Sequence, residues 1–190
     1  MGGAKRPSQD NQWRLREVDI LSDIHLFDLD LIKMSNVVKA IMAIEPDKIY
    51  NLAAQSFVTV SFVQPVYTSQ VNAISVAYML EAIRTTNPEI KFYQASTSEM
   101  FGNNGDTFQN ERSLFQPASP YPISKLYSHW ISVNYSKAHN MFVCAGILFN
   151  HESLLFDVEL VMRKITWEFA QITANKLEHI ELGNLDARRD

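Results

Sequence analysis

Glycine and cysteine are scarce in this chain, with six and one respectively among 190 residues. A single cysteine excludes an internal disulfide framework and makes a reducing compartment the default. It lies in the apolar run Phe142-Val-Cys-Ala-Gly-Ile-Leu-Phe149, which predicts a buried strand with Cys144 inside it. That run is far too short to cross a bilayer, and no apolar signal segment opens the chain. There is no basic stripe either: the formal net charge is −4 and the pI about 5.7, which argues against a nucleic-acid partner. The expectation is a cytoplasmic protein with neither membrane nor nucleic-acid contacts. Histidines 25, 129, 139 and 179 show no metal-ligand grouping with Asp or Glu, so no metal site is expected.

What is present is a 46% hydrophobic content, enough for a real core. Residues 1–12 are polar and read as a flexible tail, with one partial domain over 13–190. Short apolar strands then alternate with amphipathic helices. Strands are predicted at Ile24–Leu29, Lys48–Ala53, Ile90–Ala95, Met141–Phe149 and His179–Leu182. Helices are predicted at Ser35–Ile44, Tyr67–Arg84, Tyr121 to about His139, and Val158–Asn175. Strands buried on both faces and separated by helices indicate a parallel sheet in an α/β layer fold. Ligands of such sheets bind beyond the carboxyl ends of the strands. That rule singles out Ala53 to Ser56, Ser96 to Glu99 and Asn150 to Glu152. Phe101 to Ser119 is a long polar connection that suits a lid or surface loop.

Tyr121-Pro-Ile-Ser-Lys125 puts a phenol and an ammonium one helical turn apart on one face. An ammonium beside a phenol favours the phenolate, which can then take a proton from an alcohol. Ser119-Pro120 just before it is a helix start, with serine as cap. Ile123, Leu126, Tyr127, Trp130 and Ile131 recur at helical spacing and predict the apolar stripe of that helix. Upstream, Ser96-Thr-Ser-Glu99 offers a hydroxyl donor and a separate carboxylate base. The combination suits hydride chemistry followed by proton abstraction next to a carbonyl.

Five stretches in order carry a resemblance. They are Tyr50-Asn-Leu-Ala-Ala-Gln-Ser56, Phe92-Tyr-Gln-Ala-Ser-Thr-Ser-Glu99, Ser119-Pro-Tyr-Pro-Ile-Ser-Lys-Leu-Tyr127, Gly146-Ile-Leu-Phe-Asn-His-Glu-Ser153 and Leu182-Gly-Asn-Leu-Asp-Ala187. Together they resemble the extended short-chain dehydrogenase/reductases, and within them the GDP-mannose 4,6-dehydratases. The resemblance implies a lyase of nucleotide-sugar metabolism that acts on GDP-mannose with NADP as cofactor and works as a homo-oligomer. Tyr121, Lys125, Thr97 and Glu99 would be catalytic. The same matching implies that Asp30 and Leu31 lie near the adenine. Leu52, Ala53, Ala54, Gln55, Ser56 and Tyr67 would line the cofactor, with Lys125 and His151 on its nicotinamide side. Asn150 and Lys164 would touch the nucleotide sugar.

The chain also departs from that pattern. None of its glycines (2, 3, 102, 105, 146 and 183) forms the Gly-x-x-Gly-x-x-Gly turn that holds a cofactor pyrophosphate at a helix N-terminus. The expected fold is therefore a partial Rossmann-like, doubly wound parallel sheet. It would lack the first glycine-rich βαβ unit and most of the C-terminal substrate domain, with truncation at both ends and an apolar sheet edge left unpaired. Leu154-Leu-Phe-Asp157 stands where the family has Pro-Arg-Arg-Gly, which removes an arginine contact to the cofactor phosphates. Pro122 follows Tyr121 and is expected to bias it away from helical dihedrals. Two alternatives stay open: a catalytically incompetent homologue acting by protein association, and another nucleotide-sugar epimerase or reductase.

Overall fold

Alternating apolar strands and helices leave a chain little choice but parallel pairing through helical crossovers. A computed structural model describes residues 1–4, 12–102, 108–156, 158, 160–183 and 185. Its contacts divide it into two units, Met1–Leu148 and Phe149–Asp190.

In the first unit, β3 (Lys48–Asn51), β4 (Lys91–Thr97) and β5 (Val143–Leu148) form a parallel sheet in that order. A second parallel pair joins β1 (Gly2–Ala4) to β2 (Leu26–Asp28). Gly2–Ala4 falls in the stretch read as a tail; main-chain pairing is open to these residues whatever their side chains. Among the described residues the two sheets share no strand, and β3 ends its sheet with no strand on its far side. The remaining helices are α1 (Trp13–Glu17), α2 (Met34–Ile44), α3 (Val58–Val63), α4 (Pro65–Ser69), α5 (Ser75–Thr86) and α6 (Pro120–His139). The helix expected over Tyr67–Arg84 is present as α4 and α5, linked through a π-helical turn at Gln70–Ile74.

The core lies on one face of the three-stranded sheet. Val37 and Ile41 of α2 meet Val76, Leu80 and Ile83 of α5, Phe92 of β4 and Met141. Full burial of each such side chain contributes about 1.5–3 kcal/mol. Register puts Ile49, Phe92 and Val143 side by side, and Tyr50, Tyr93 and Cys144 side by side one residue on. Successive residues face opposite ways, so the second row projects from the other face. Tyr50 is 67% exposed there, and Cys144 is exposed rather than buried as its apolar run suggested.

Helix α6 corrects a second expectation. Its buried residues are Pro122, Ser124, Lys125, Ser128 and Ser132, whereas Ile123, Tyr127 and Trp130 are exposed. The serines can face inward because each hydroxyl is satisfied within its own helix. Ser124 donates to Tyr121 O, Ser128 to Lys125 O and Ser132 to Ser128 O, at 2.6–2.8 Å. Small side chains also let the helix approach its neighbours closely.

The second unit contains α7 (Val161–Thr173), of which no residue is buried. A groove of about 680 Å³ runs along it, lined by Lys164, Glu168, Leu177 and Glu181 among others. No strand forms at His179–Leu182. The Glu181 carbonyl instead accepts from Lys164 Nζ at 2.6 Å.

Candidate active site

Strand β4 carries the first half of the site on its last residue and just beyond. Thr97 is extended and caps the 3₁₀ turn Ser98–Phe101, its Oγ1 accepting from Glu99 N at 3.3 Å. Thr97 also lies close enough to the Tyr121 phenol to lower its pKa. Glu99 follows in the first turn of the 3₁₀ segment.

Helix α6 carries the second half. Ser119 precedes it in an extended conformation, but its side chain makes no capping hydrogen bond. Prolines at 120 and 122 sit in the first turn instead, where a helix has no use for those N–H groups. Tyr121 is thereby helical, contrary to the bias expected from Pro122. The phenol lies above its ordinary value, chiefly because burial disfavours the phenolate. The Thr97 hydrogen bond pulls the other way, and the nearby Glu99 carboxylate pushes it up further.

Lys125 is 3% exposed and donates from Nζ to Ala95 O at 2.9 Å. It is thus turned to the strand, and the expectation that its ammonium holds the phenol as phenolate is not met in this structure. Burial lowers Lys125 to about 8. The linkage sign follows: an unfolded lysine near 10.5 binds its proton more tightly than the folded one near 8, so this group adds stability as pH rises between those values. The span of roughly 2.5 pH units corresponds to about 3 kcal/mol. Lys125→Met removes that dependence. Its unfolding free energy relative to wild type, measured in urea, is expected to be most favourable below pH 8 and to fall back by pH 10. An unchanged difference across that range would contradict the assignment.

Polar side chains that the sequence reading passed over tie these halves together. Ala53 N donates to Asn51 Oδ1 at 3.3 Å, Asn51 Nδ2 to Gln94 Oε1 at 2.8 Å, and Gln94 Nε2 to the same Ala95 carbonyl at 2.9 Å. Ser96 Oγ lies 3.2 Å from His129 Nδ1, so α6 grips consecutive β4 residues through side chains one turn apart. Burial lowers the His129 pKa. Its ring meets Phe115 and Trp130 edge-on, and Phe115 stacks on Phe101 at 5.0 Å. This packing fastens Phe115 of the expected lid against the 3₁₀ turn; residues 103–107 lie outside the described residues. Buried polar residues at strand ends and mid-helix are the sequence signal that would have found this network.

The other proposed site residues are distributed between the two units. In the first, Asp30 Oδ1 accepts from Ile32 N at 3.4 Å and its other oxygen pairs with Lys33 at 3.4 Å. Leu31 packs partly buried against the core. Leu52 is 67% exposed after β3, with Ala53, Ala54, Gln55 and Ser56 following as irregular chain. Tyr67 is exposed on α4. In the second, Asn150 and His151 are exposed, the latter edge-on to Phe156 at 5.3 Å. Lys164 on α7 also lies 3.8 Å from Glu168. The four acid–base residues and the loop after β3 therefore share one unit, and Asn150, His151 and Lys164 belong to the other. Asp157 of the departing Leu154–Asp157 stretch lies outside the described residues.

A family model described as GDP-mannose 4,6 dehydratase matches residues 1–190. The chain is 49% identical over 163 residues to a GDP-mannose 4,6 dehydratase of Drosophila melanogaster, covering 85% of this chain and 41% of that one. It is 45% identical over 163 residues to the Homo sapiens GDP-mannose 4,6 dehydratase, covering 85% and 44%. This chain thus spans less than half the length of these relatives. Among solved structures, RMD from Pseudomonas aeruginosa complexed with NADPH superimposes with a TM-score of 0.79 at 20% identity, over 94% of this chain and 62% of that one. The dTDP-glucose 4,6-dehydratase of Bacillus anthracis in complex with NAD gives 0.76 at 20% identity, over 89% and 52%. These likenesses show the Rossmann-like fold.

Proposed function

The chain belongs to the GDP-mannose 4,6-dehydratase family, and from that premise we propose that it carries the acid–base half of a GDP-mannose dehydratase. The observation that supports this reading best is the half-buried Tyr121 phenol at the start of α6, with Thr97 and the Glu99 carboxylate, from the end of β4, both near enough to shift its pKa. One hydroxyl donor, one phenol and one carboxylate converge there, and the reaction needs two separate bases.

In this reading Tyr121 takes the proton of the sugar 4-hydroxyl as carbon 4 gives up its hydride, and Thr97 donates to the oxygen that becomes a ketone. That ketone acidifies the carbon-5 proton, which Glu99 removes. The C6–O bond breaks with loss of water. Carbon 6 then receives the hydride and carbon 5 a proton, giving GDP-4-keto-6-deoxymannose with no net redox change. NADP, when bound, supplies the temporary hydride acceptor. Lys125 holds its proton at Nζ against the Ala95 carbonyl, below pH 8 in its charged form.

The residues present fit one end of that cofactor. Gln55 Oε1, in the loop after β3, and Thr68 Oγ1, on α4, are buried without a hydrogen-bond partner, as suits a polar ligand. Within the first unit, Leu52 to Ser56, Tyr67 and Lys125 would hold the nicotinamide and ribose, and Asp30 and Leu31 the adenine. No glycine fingerprint for the pyrophosphate lies within these 190 residues. We place the protein in the cytoplasm; no described helix is long and apolar enough to cross a membrane. The exposed Ile123, Tyr127 and Trp130 on α6 suit a homo-oligomer.

Incubation with GDP-mannose and NADP should yield a nucleotide sugar lighter by one water, read by mass spectrometry. Glu99→Gln should block that loss yet retain slow exchange of the carbon-4 hydride, whereas an epimerase or reductase would be little affected. No product from a folded chain would overturn the proposal. The far side of β3, which pairs with no strand among the described residues, favours a second reading, a non-catalytic homologue acting by association. Saturable NADPH binding, followed through Trp130 fluorescence, would eliminate it.

A further inference from the structure

His129 lies on α6 one turn past Lys125 and takes no part in the chemistry just described. Its ring Nδ1 stands 3.2 Å from the hydroxyl of Ser96, a residue only 2% exposed. The bond holds in either tautomer: Ser96 donates to a bare Nδ1 or accepts from Nδ1–H. The rest of the ring is used as well. Phe115 and Trp130 meet it edge-on, with centroids 5.5 and 5.4 Å away. Phe115 in turn stacks at 5.0 Å on Phe101, which is 1% exposed. Ser96 directly precedes Thr97, and Phe101 is the last residue of the 3₁₀ turn that carries Glu99. One imidazole therefore reaches both ends of the segment that holds the hydroxyl donor and the carboxylate base.

We propose that His129 is a positioning residue that clamps Thr97–Glu99 from both ends, by its nitrogen on Ser96 and by its ring, through Phe115, on Phe101. Side chains alternate along β4, so Ser96 and Thr97 point to opposite faces. Holding Ser96 from behind fixes the rotation of the strand end, and with it the direction of the Thr97 side chain, without occupying the site. The ring end works by contact: the imidazole edge backs Phe115, and Phe115 backs Phe101. Gln116 N donates to Met100 O at 2.9 Å, which keeps Phe115 in register with the turn. Histidine suits both tasks. Phenylalanine has the ring but no polar atom for Ser96, and asparagine has a polar atom at the Nδ1 position but no ring. Burial keeps the imidazole below its ordinary pKa, so the neutral ring that fits this aromatic surround is the form present at pH 7.

The catalytic meaning of the clamp rests on the dehydratase reading; the clamp itself is read by residue-resolved amide exchange in the full chain. Two amides report its ends: Glu99 N, held by Thr97 Oγ1, and Gly102 N, held by Glu99 O. His129→Phe, which loses the nitrogen and keeps the ring, should speed exchange at Glu99 about 10-fold and leave Gly102 within about 2-fold. His129→Asn, which keeps a polar atom and loses the ring, should do the reverse. Ser96→Ala is a milder change that opens the same bond. It should match His129→Phe, and adding it to His129→Phe should change Glu99 little further. Equal acceleration at both amides in the two histidine variants, or none in Ser96→Ala, would overturn the proposal. With GDP-mannose turnover as a second readout, Ser96→Ala should lower kcat, counted per folded molecule, about 3-fold with KM within about 2-fold. A loss carried by KM instead would mark a binding role and defeat the assignment as a positioning residue. A chain that shows the exchange split but forms no product sinks the dehydratase reading and leaves the clamp in place.

Discussion

Tyr121→Phe is expected to lower GDP-mannose turnover by about 10²–10⁴-fold, the usual contribution of a positioned acid–base group. Phenylalanine keeps the ring and its packing in the first turn of α6, so the variant should fold and melt close to wild type. What disappears is the oxygen that Thr97 addresses and that Glu99 perturbs. An interaction made only as the proton moves lowers kcat and kcat/KM together and leaves KM alone. The wild-type profile should carry the same signature. Burial and the Glu99 carboxylate hold the phenol above its ordinary 10.0, and the reactive form is the phenolate, so kcat/KM should still be climbing as pH passes through the alkaline range. Turnover in Tyr121→Phe within a few-fold of wild type would remove this residue from the chemistry.

Gly102→Ala should cost about 3 kcal/mol of stability and, in a chain of this length, about 10 °C in Tm. Gly102 closes the 3₁₀ turn with φ +65° and ψ −149°, a conformation that L-residues seldom take. Any Cβ there would run into the Gln116 carbonyl, and because the obstacle is backbone it has nowhere to go. Both sides are pinned: Gln116 N donates to Met100 O at 2.9 Å and Gly102 N to Glu99 O at 3.1 Å. Relief must move the turn, and Glu99 with it, so elimination should weaken more than hydride exchange at carbon 4. A thermal melt within about 2 °C of wild type would show that this turn is not held as described.

Strand and helix positions were legible in the sequence wherever an apolar run had clear ends. Lys48–Asn51, Lys91–Thr97 and the crossover helix before Val143 lie close to where composition and turn signals put them. The errors came from treating every apolar side chain as buried. Helix α6 reverses that rule, since serines that bond to their own backbone pack inward more closely than Ile123 or Trp130 can. Cys144 fails for a related reason: a strand with only one covered face exposes every second residue, however apolar its run. At the site, residue types and order were readable, but the hydrogen bonds were not. Spacing puts Lys125 near Tyr121; only the fold shows its ammonium spent on Ala95, 30 residues away. His129 was passed over by motif reading because its value lies in what it holds, Ser96 on β4, 33 residues back.

Thr97, Glu99, Tyr121 and Lys125 all sit within a single right-sized segment, the β4–α6–β5 crossover. Helix α6 is fastened to β4 by Lys125 on Ala95 and His129 on Ser96. The spacing of these groups is thus set locally, by how one helix is bolted to one strand, and a substitution that loosens either bolt should disturb all four at once.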